Sequence, residues 1–162
     1  MTDVSIRPAT VADAPTLARL YREAYAMNVD LGFPSRAVEA TSADLEGWIR
    51  EARLFVASDG GKLVGAIRYR DEGKYDPDAP EFGRLAVPPR ARGRGHADSL
   101  IHHVESVAKR AGHDRLRLRT FDGHPFLPEM YRHRGYEPTR VRELEGAPFD
   151  VLHMCKRFDR RK

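Results

Sequence analysis

Apolar positions along the chain switch between two spacings, and the switch separates helices from strands. Residues 4–7 form a short extended run around Ile6, closed by Pro8. Leu17, Leu20, Tyr21 and Ala24 then recur at helical spacing, and Thr10 is placed to cap a helix over 11–27. Gly32 and Pro34 mark 28–40 as a loop, and Thr41 or Ser42 can cap a second helix through Trp48 and Ile49. Residues 54–57 read as a strand, Asp59-Gly60-Gly61 as a hairpin turn, and 63–70 as the returning strand. After a 71–80 loop, 81–87 reads as a strand stopped by Pro88 and Pro89. A glycine-rich turn then opens a longer helix to about 111, striped by Leu100, Ile101, Val104, Val107, Ala108 and Ala111, with Gly112 at its end. Residues 115–121 alternate strictly, Leu116 and Leu118 on one face and Arg115, Arg117 and Arg119 on the other. A short helix over 126–133 and strands near 135–140 and 149–157 complete the pattern. Strands alternating with helices predict an α/β fold with a largely covered sheet.

Composition narrows the class. A length of 162 residues fits one domain over 1–162, large enough to hold a core without a disulfide or metal. Hydrophobic residues at 41% and charged residues at 32% fit a globular chain and not a disordered one. No window approaches the roughly 20 apolar residues of a membrane span. Asp3, Arg7 and Asp13 interrupt any signal-peptide apolar run, so a cytoplasmic protein is expected. The single Cys155 excludes an internal disulfide and a multi-cysteine zinc site. His102 and His103 are adjacent on a helix and point apart, and no H-E-x-x-H spacing occurs, so no metal is expected.

The net charge of +4 is unevenly spread. Residues 71–82 carry Asp71, Glu72, Asp76, Asp78 and Glu81 against Lys74, whereas 84–119 carry nine basic residues against three acidic ones. An acidic and a basic region follow. The three arginines of 115–121 are unusual in a covered sheet, and need an exposed rim or an acidic partner.

The segment from Leu85 through Ala86 and Val87 to Ala97 carries the most chemistry. It runs from an apolar strand through Arg92-Gly93-Arg94-Gly95-His96-Ala97 into the longer helix. The first N–H groups of a helix have no internal partner and bear partial positive charge, so they bind phosphates. Gly93 and Gly95 let the backbone approach a diphosphate with no Cβ in the way. The Walker pattern is absent, and Asp98 occupies the third glycine position of G-x-G-x-x-G.

What fits is [QR]-x-x-G-x-[GA], read at Arg92, Gly95 and Ala97. Here the chain resembles the GNAT (Gcn5-related N-acetyltransferase) family, whose coenzyme A loop V-x-P-x-x-R-G-x-G-x-[GA] is matched by Val87, Pro89, Arg92, Gly93, Gly95 and Ala97. Glu81 stands six residues before Val87, where the family often has a glutamate. Tyr131 to Tyr136 match Y-x-x-x-G-[FY], and Ile6 to Asp13 look like the usual I-R-x-A-x-x-x-D opening. The resemblance covers nearly the whole chain in order. It implies a mixed sheet of about six to seven strands flanked by about four helices, and acetyl-CoA as cosubstrate. It places coenzyme contacts at Leu85, Ala86, Val87, Arg92, Gly93, Arg94, Gly95, His96, Ala97 and His124. The last is a departure, because many relatives carry Asn there, and Pro125 follows.

Acetyl transfer to an amine needs a neutral amine, donors for a developing oxyanion, and a proton for the leaving thiolate. The resemblance points to Glu81 as base, directly or through water, and Tyr131 as acid. Backbone N–H groups around Ala86 and Val87 would serve the oxyanion. The amine would attack directly in a ternary complex, with Cys155 packed and not nucleophilic. The loops 28–40, 71–80 and 140–148 would shape the acceptor side. The acidic 71–80 loop makes a cationic acceptor the expectation, a small molecule or a peptide. Two other readings stand beside it. One is a non-catalytic acyl-CoA-binding module. The other is a nucleic-acid or tRNA-directed protein using the arginine face and the basic tail 156–162, although no aromatics interleave with the arginines. A homodimer is an analogy from the family.

Overall fold

A computed structural model describes residues 4–158. The strands are β1 (Val4–Pro8), β2 (Arg53–Asp59), β3 (Lys62–Arg70), β4 (Glu81–Ala86), β5 (Arg115–Phe121), β6 (Glu137–Arg142) and β7 (Val151–Arg157). The helices are α1 (Ala14–Asp30), α2 (Ser42–Glu51), α3 (His96–Arg110) and α4 (Leu127–Arg132). The strands form one mixed sheet in the order β1-β2-β3-β4-β5-β7-β6. All neighbours are antiparallel except β4 and β5, which run parallel on either side of the α3 crossover. This is the architecture expected from the sequence.

Alternation along the strands sends apolar side chains to both faces. Phe55, Ile67, Phe82, Leu116 and Leu118 pack with Leu100, Ile101 and Val104 of α3 and with Tyr131 and Tyr136. Leu54, Val56 and Ala66 pack on the other face against Leu17, Leu20, Tyr21 and Ala24 of α1 and Leu45 of α2. Gly65 permits close packing, since a Cβ there would stand 2.9 Å from Leu100 Cδ1.

Several boundaries differ from expectation. The helix expected over 11–27 divides into a 3-10 turn, Val11–Asp13, and α1, which runs on to Asp30. Pro15, in the first turn of α1, has no N–H to continue the ladder back to Val11. Asp13 ties the turn by accepting from the Thr10 N–H (2.8 Å) and pairing with Arg7 (2.8 Å). Strand β4 ends at Ala86, one residue before Val87, and α3 ends at Arg110 with Ala111 as its cap. Strand β6 lies two residues later than expected, at Glu137–Arg142. Thr41 caps α2 through the Asp44 N–H (3.1 Å). Among the described residues no helix is long and apolar enough to cross a membrane. The basic tail at 159–162 lies outside the described residues.

Candidate active site

The site begins with a backbone irregularity. On the β3–β4 pairing Ala66 faces Ala86 and Arg68 faces Gly83, so Arg84 and Leu85 together oppose Ile67. This is a bulge, and Arg84 adopts a left-handed φ of 52° that non-glycine residues rarely take. Two phenols of α1 hold it. Tyr21 Oη donates to the Arg84 carbonyl (2.7 Å) and Tyr25 Oη to the Leu85 carbonyl (2.9 Å). On its other side β4 pairs with β5 only at Glu81–Arg117 and Phe82–Leu118. Beyond these pairs the strands part, and a cleft of about 1200 Å³ opens between them.

At one end the cleft reaches the start of α3. Gly93 and Gly95 have φ of 81° and 79°, and an added Cβ at either would meet nothing within 4 Å. Gly95 is the N-cap, so the first N–H groups of α3 are uncovered by a side-chain cap. His96 is buried, and its Nε2 has no hydrogen-bond partner among the described residues. Arg92 braces the turn, donating to the carbonyls of Val87 (3.0 Å) and Ala24 (3.2 Å). Asp98 and Arg134, an ion pair between α3 and the end of α4, flank the opening. This donor set fits a diphosphate: open backbone N–H groups, room where side chains would stand, and adjacent guanidinium.

Of the residues expected from sequence, Leu85, Ala86, Val87, Arg92, Gly93, Gly95, His96, Ala97 and Tyr131 all line this cleft. Tyr131 packs edge-on against Phe82 and Tyr136 (ring centroids 5.9 and 6.3 Å apart). Burial raises its pKa above the ordinary phenol value. Its hydroxyl donates to no protein group among the described residues, so its proton is available to a ligand.

Three expected residues stand elsewhere. Arg94 is exposed on the turn outside the cleft lining. His124 has both ring nitrogens engaged: Nε2 meets Asn28 Oδ1 (2.8 Å), and Nδ1 accepts from the N–H groups of Phe126 (3.3 Å) and Leu127 (3.2 Å). It caps the start of α4, which carries Pro128 in its first turn, and joins α4 to α1 instead of reaching into the cleft. Glu81 is 5% exposed and accepts two hydrogen bonds from Arg119, at 2.7 and 3.2 Å. It points away from Phe82 and borders a smaller cavity of about 230 Å³ with Tyr75, Asp76 and His153. Tyr75 covers that region, with the guanidinium carbons of Arg142 and Arg119 4.1 and 5.0 Å from its ring centroid.

The electrostatics of the cleft run opposite to the expected cationic-acceptor site. Asp76 pairs with Arg117 (2.8 Å), and Asp71 accepts from Tyr69 Oη (3.0 Å), so these loop charges are held by their own neighbours. Arg115 pairs with Asp114 (3.1 Å). The β5 arginines thus have the acidic partners that a covered sheet demands. The cleft itself is lined by Arg68, Arg70, Lys74, Arg84 and Arg119. Lys74 and Arg84 counted from the sequence only toward segment charge, and Arg68 and Arg70 were not picked out, though they lie two apart on one strand and so share a face. Aromatic rings close one end. Phe121 and Phe149 stack edge-on (4.9 Å), and Phe33 of the 28–40 loop packs on both. Among the described residues no three His, Cys, Asp or Glu side chains converge as a metal site.

A sheet parted between two parallel strands, with an anion-ready helix start at the gap, defines an acyl-CoA-dependent transferase scaffold. Residues 16–136 match the family model described as the acetyltransferase (GNAT) family, and the chain belongs to that family. It is an N-acyltransferase. The S-alkylcysteine N-acetyltransferase of Bacillus subtilis (strain 168) is 31% identical over 94% of this chain and 89% of its own length. The S-(2-succino)cysteine N-acetyltransferase of the same organism is 30% identical over 94% of both chains. Among solved structures, the PaiA N-acetyltransferase of Thermoplasma acidophilum in complex with coenzyme A is similar in fold. Its TM-score is 0.78 at 18% identity, covering 96% of this chain and 99% of that one.

Proposed function

We propose that the protein uses acetyl-CoA to acetylate the α-amine of a small amino acid, of the S-substituted cysteine kind that the two Bacillus relatives are named for. The observation that carries this reading is the meeting, in one cleft, of the uncapped α3 start, the parted edge of β4 and the Tyr131 hydroxyl.

Acetyl-CoA brings an activated thioester. The α3 N–H groups beyond Gly95, with Arg92 beside them, would hold its diphosphate. Backbone from Leu85 to Val87, freed from β5, offers amide partners along the coenzyme arm and donors for the thioester oxygen. Tyr131, a phenol kept protonated by burial, holds a proton for the departing sulfur. Glu81 steadies Arg119 instead of taking the amine proton, since both its oxygens face that guanidinium. The amine becomes neutral another way. A cationic wall disfavours an ammonium beside it, and the proton would pass to solvent through the open cleft.

Thermal unfolding with acetyl-CoA, with adenosine as control, tests the first part. Ligand at about 100 times its dissociation constant adds roughly 2.7 kcal/mol, a rise of several degrees. Release of free thiol with S-methylcysteine as acceptor tests the second. No stabilisation at millimolar acetyl-CoA would overturn the reading.

A further inference from the structure

Three arginines of the cleft are held in place with no carboxylate at ion-pair distance among the described residues. Arg68 and Arg70 project from one face of β3, and Arg84 stands at the β4 bulge. The Nε of each is buried without a hydrogen-bond partner, and none of the three forms an ion pair among the described residues. A half-buried guanidinium whose Nε is shut off from water without a partner is costly, and proteins normally pair it. The contrast with β5 lies in the ion pairs: Arg115 and Arg117 share the buried, unpartnered Nε, yet they and Arg119 each have a carboxylate within 3.1 Å.

The trio is also positioned. Arg68 lies over Gly83, where a Cβ would come within 2.7 Å of Nη2, so the absence of a side chain makes its seat. Arg84 lies 4.0 Å above the Trp48 ring of α2. Burial, with Arg70 and Arg84 nearby, pushes the Arg68 pKa down to about 10, opposed by Glu81, whose oxygens are taken up by Arg119. Of the carboxylates that line the cleft, Asp44 accepts from the Thr41 N–H and Asp98 pairs with Arg134, and neither these nor Glu51 forms an ion pair with the trio among the described residues.

The coenzyme diphosphate does not supply the missing charge. Arg68 pairs across from Gly83 and Arg70 from Glu81, three and five residues before Ala86. At about 3.3 Å per residue, Gly83 lies roughly 10 Å up the strand from Ala86, and the glycine turn lies further on still. The trio therefore faces the acceptor end of the cleft.

Resting on the acetyltransferase reading above, we infer that the acceptor is an amino acid with a second carboxylate on its side chain, held by Arg68, Arg70 and Arg84. A single α-carboxylate matches one guanidinium fork, whereas three unpaired forks match at least two acid groups. Free amine and both carboxylates then sit within one small molecule, and the aromatic end formed by Phe121 and Phe149 is left for its thioether or alkyl portion.

The test is calorimetric binding to protein saturated with coenzyme A, so that no turnover occurs. The probes are S-ethylcysteine and S-(carboxymethyl)cysteine, similar in size but differing by one carboxylate, with glutamate and S-(2-succino)cysteine as further dicarboxylate and tricarboxylate probes. The expected result is at least tenfold tighter binding of the acid-bearing member of the matched pair. Arg70→Gln should reduce that preference to below threefold. Gly83→Ala should also weaken it, by displacing the Arg68 tip without removing charge. Equal or tighter binding of S-ethylcysteine would overturn the inference while leaving acetyl transfer intact. If coenzyme A fails to bind, the acetyltransferase reading fails. The anion site is then judged alone, on free protein, by S-(carboxymethyl)cysteine binding that is lost in Arg70→Gln.

Discussion

The Glu81 carboxylate is bridged by the Arg119 guanidinium through Nε and Nη2, at 2.7 and 3.2 Å. A carboxylate so engaged acts on its partner. Glu81→Gln should therefore lower kcat by less than about tenfold and leave the acidic limb of the pH–rate profile in place. Loss of a true general base costs about 10²–10⁴. A drop of that size with a shifted limb would restore Glu81 as the base.

Tyr131→Phe removes a hydroxyl that no protein group uses. The expected fall in kcat is roughly 10²-fold with the KM for acetyl-CoA nearly unchanged, the pattern of an interaction made in the transition state. Thermal stability should change by less than about 0.5 kcal/mol, because the ring packing on Phe82 and Tyr136 is kept. Unchanged kcat would exclude Tyr131 as the acid.

Gly95→Val puts a branched side chain at a φ of 79° and into the open space before α3. The backbone conformation costs about 1–2 kcal/mol. The larger effect should be on the coenzyme: stabilisation by acetyl-CoA should disappear while the free protein remains folded by circular dichroism.

Arg68→Met removes a half-buried charge that forms no ion pair or side-chain hydrogen bond among the described residues. The free variant should melt higher than the parent, by about 2–4 °C for each kcal/mol gained in a domain of this size. Turnover of acid-bearing acceptors should fall in the same variant. A lower melting point would mean that Arg68 is stabilised by its surroundings after all.

His153 is pushed down to about 4 by burial and by Arg140, Arg142 and Arg119, and burial lowers His124 in the same direction. In the unfolded chain both titrate near 6.5. Their neutral forms therefore support the fold fully above pH 6.5, and that support is lost as pH falls from 6.5 toward 4. Melting curves across this range should show the decline, and His153→Gln should reduce its slope. Parallel slopes for parent and variant would remove His153 from the account.

Most of the fold was legible because period and punctuation agree. Helix α3 carries a clean apolar stripe between Gly95 and Gly112, and β5 alternates without exception. The cleft wall beside α3 was legible too, since it is built from one continuous segment, Leu85 to Ala97. The arginine-lined wall was not. Its arginines come from β3 and β4, and their meeting depends on strand order and on a bulge that no local signal announces. The charge of the 71–80 loop misled for a related reason. Counting acids along the chain does not reveal that Asp76 has Arg117 as its neighbour. His124 occupies a motif position, yet the N–H groups of Phe126 and Leu127 and the Asn28 amide take up its ring.

The two α1 phenols have a mechanical consequence. Tyr21 and Tyr25 grip consecutive carbonyls, Arg84 and Leu85, at the one place where β4 leaves regular geometry. Helix and strand are thereby riveted at two adjacent points, and a tilt of α1 pulls directly on the bulged backbone that lines the cleft. Retuning of acceptor choice is then tolerated at side-chain tips and loop ends, whereas a shift of the helix itself would detune the chemistry along with the selectivity.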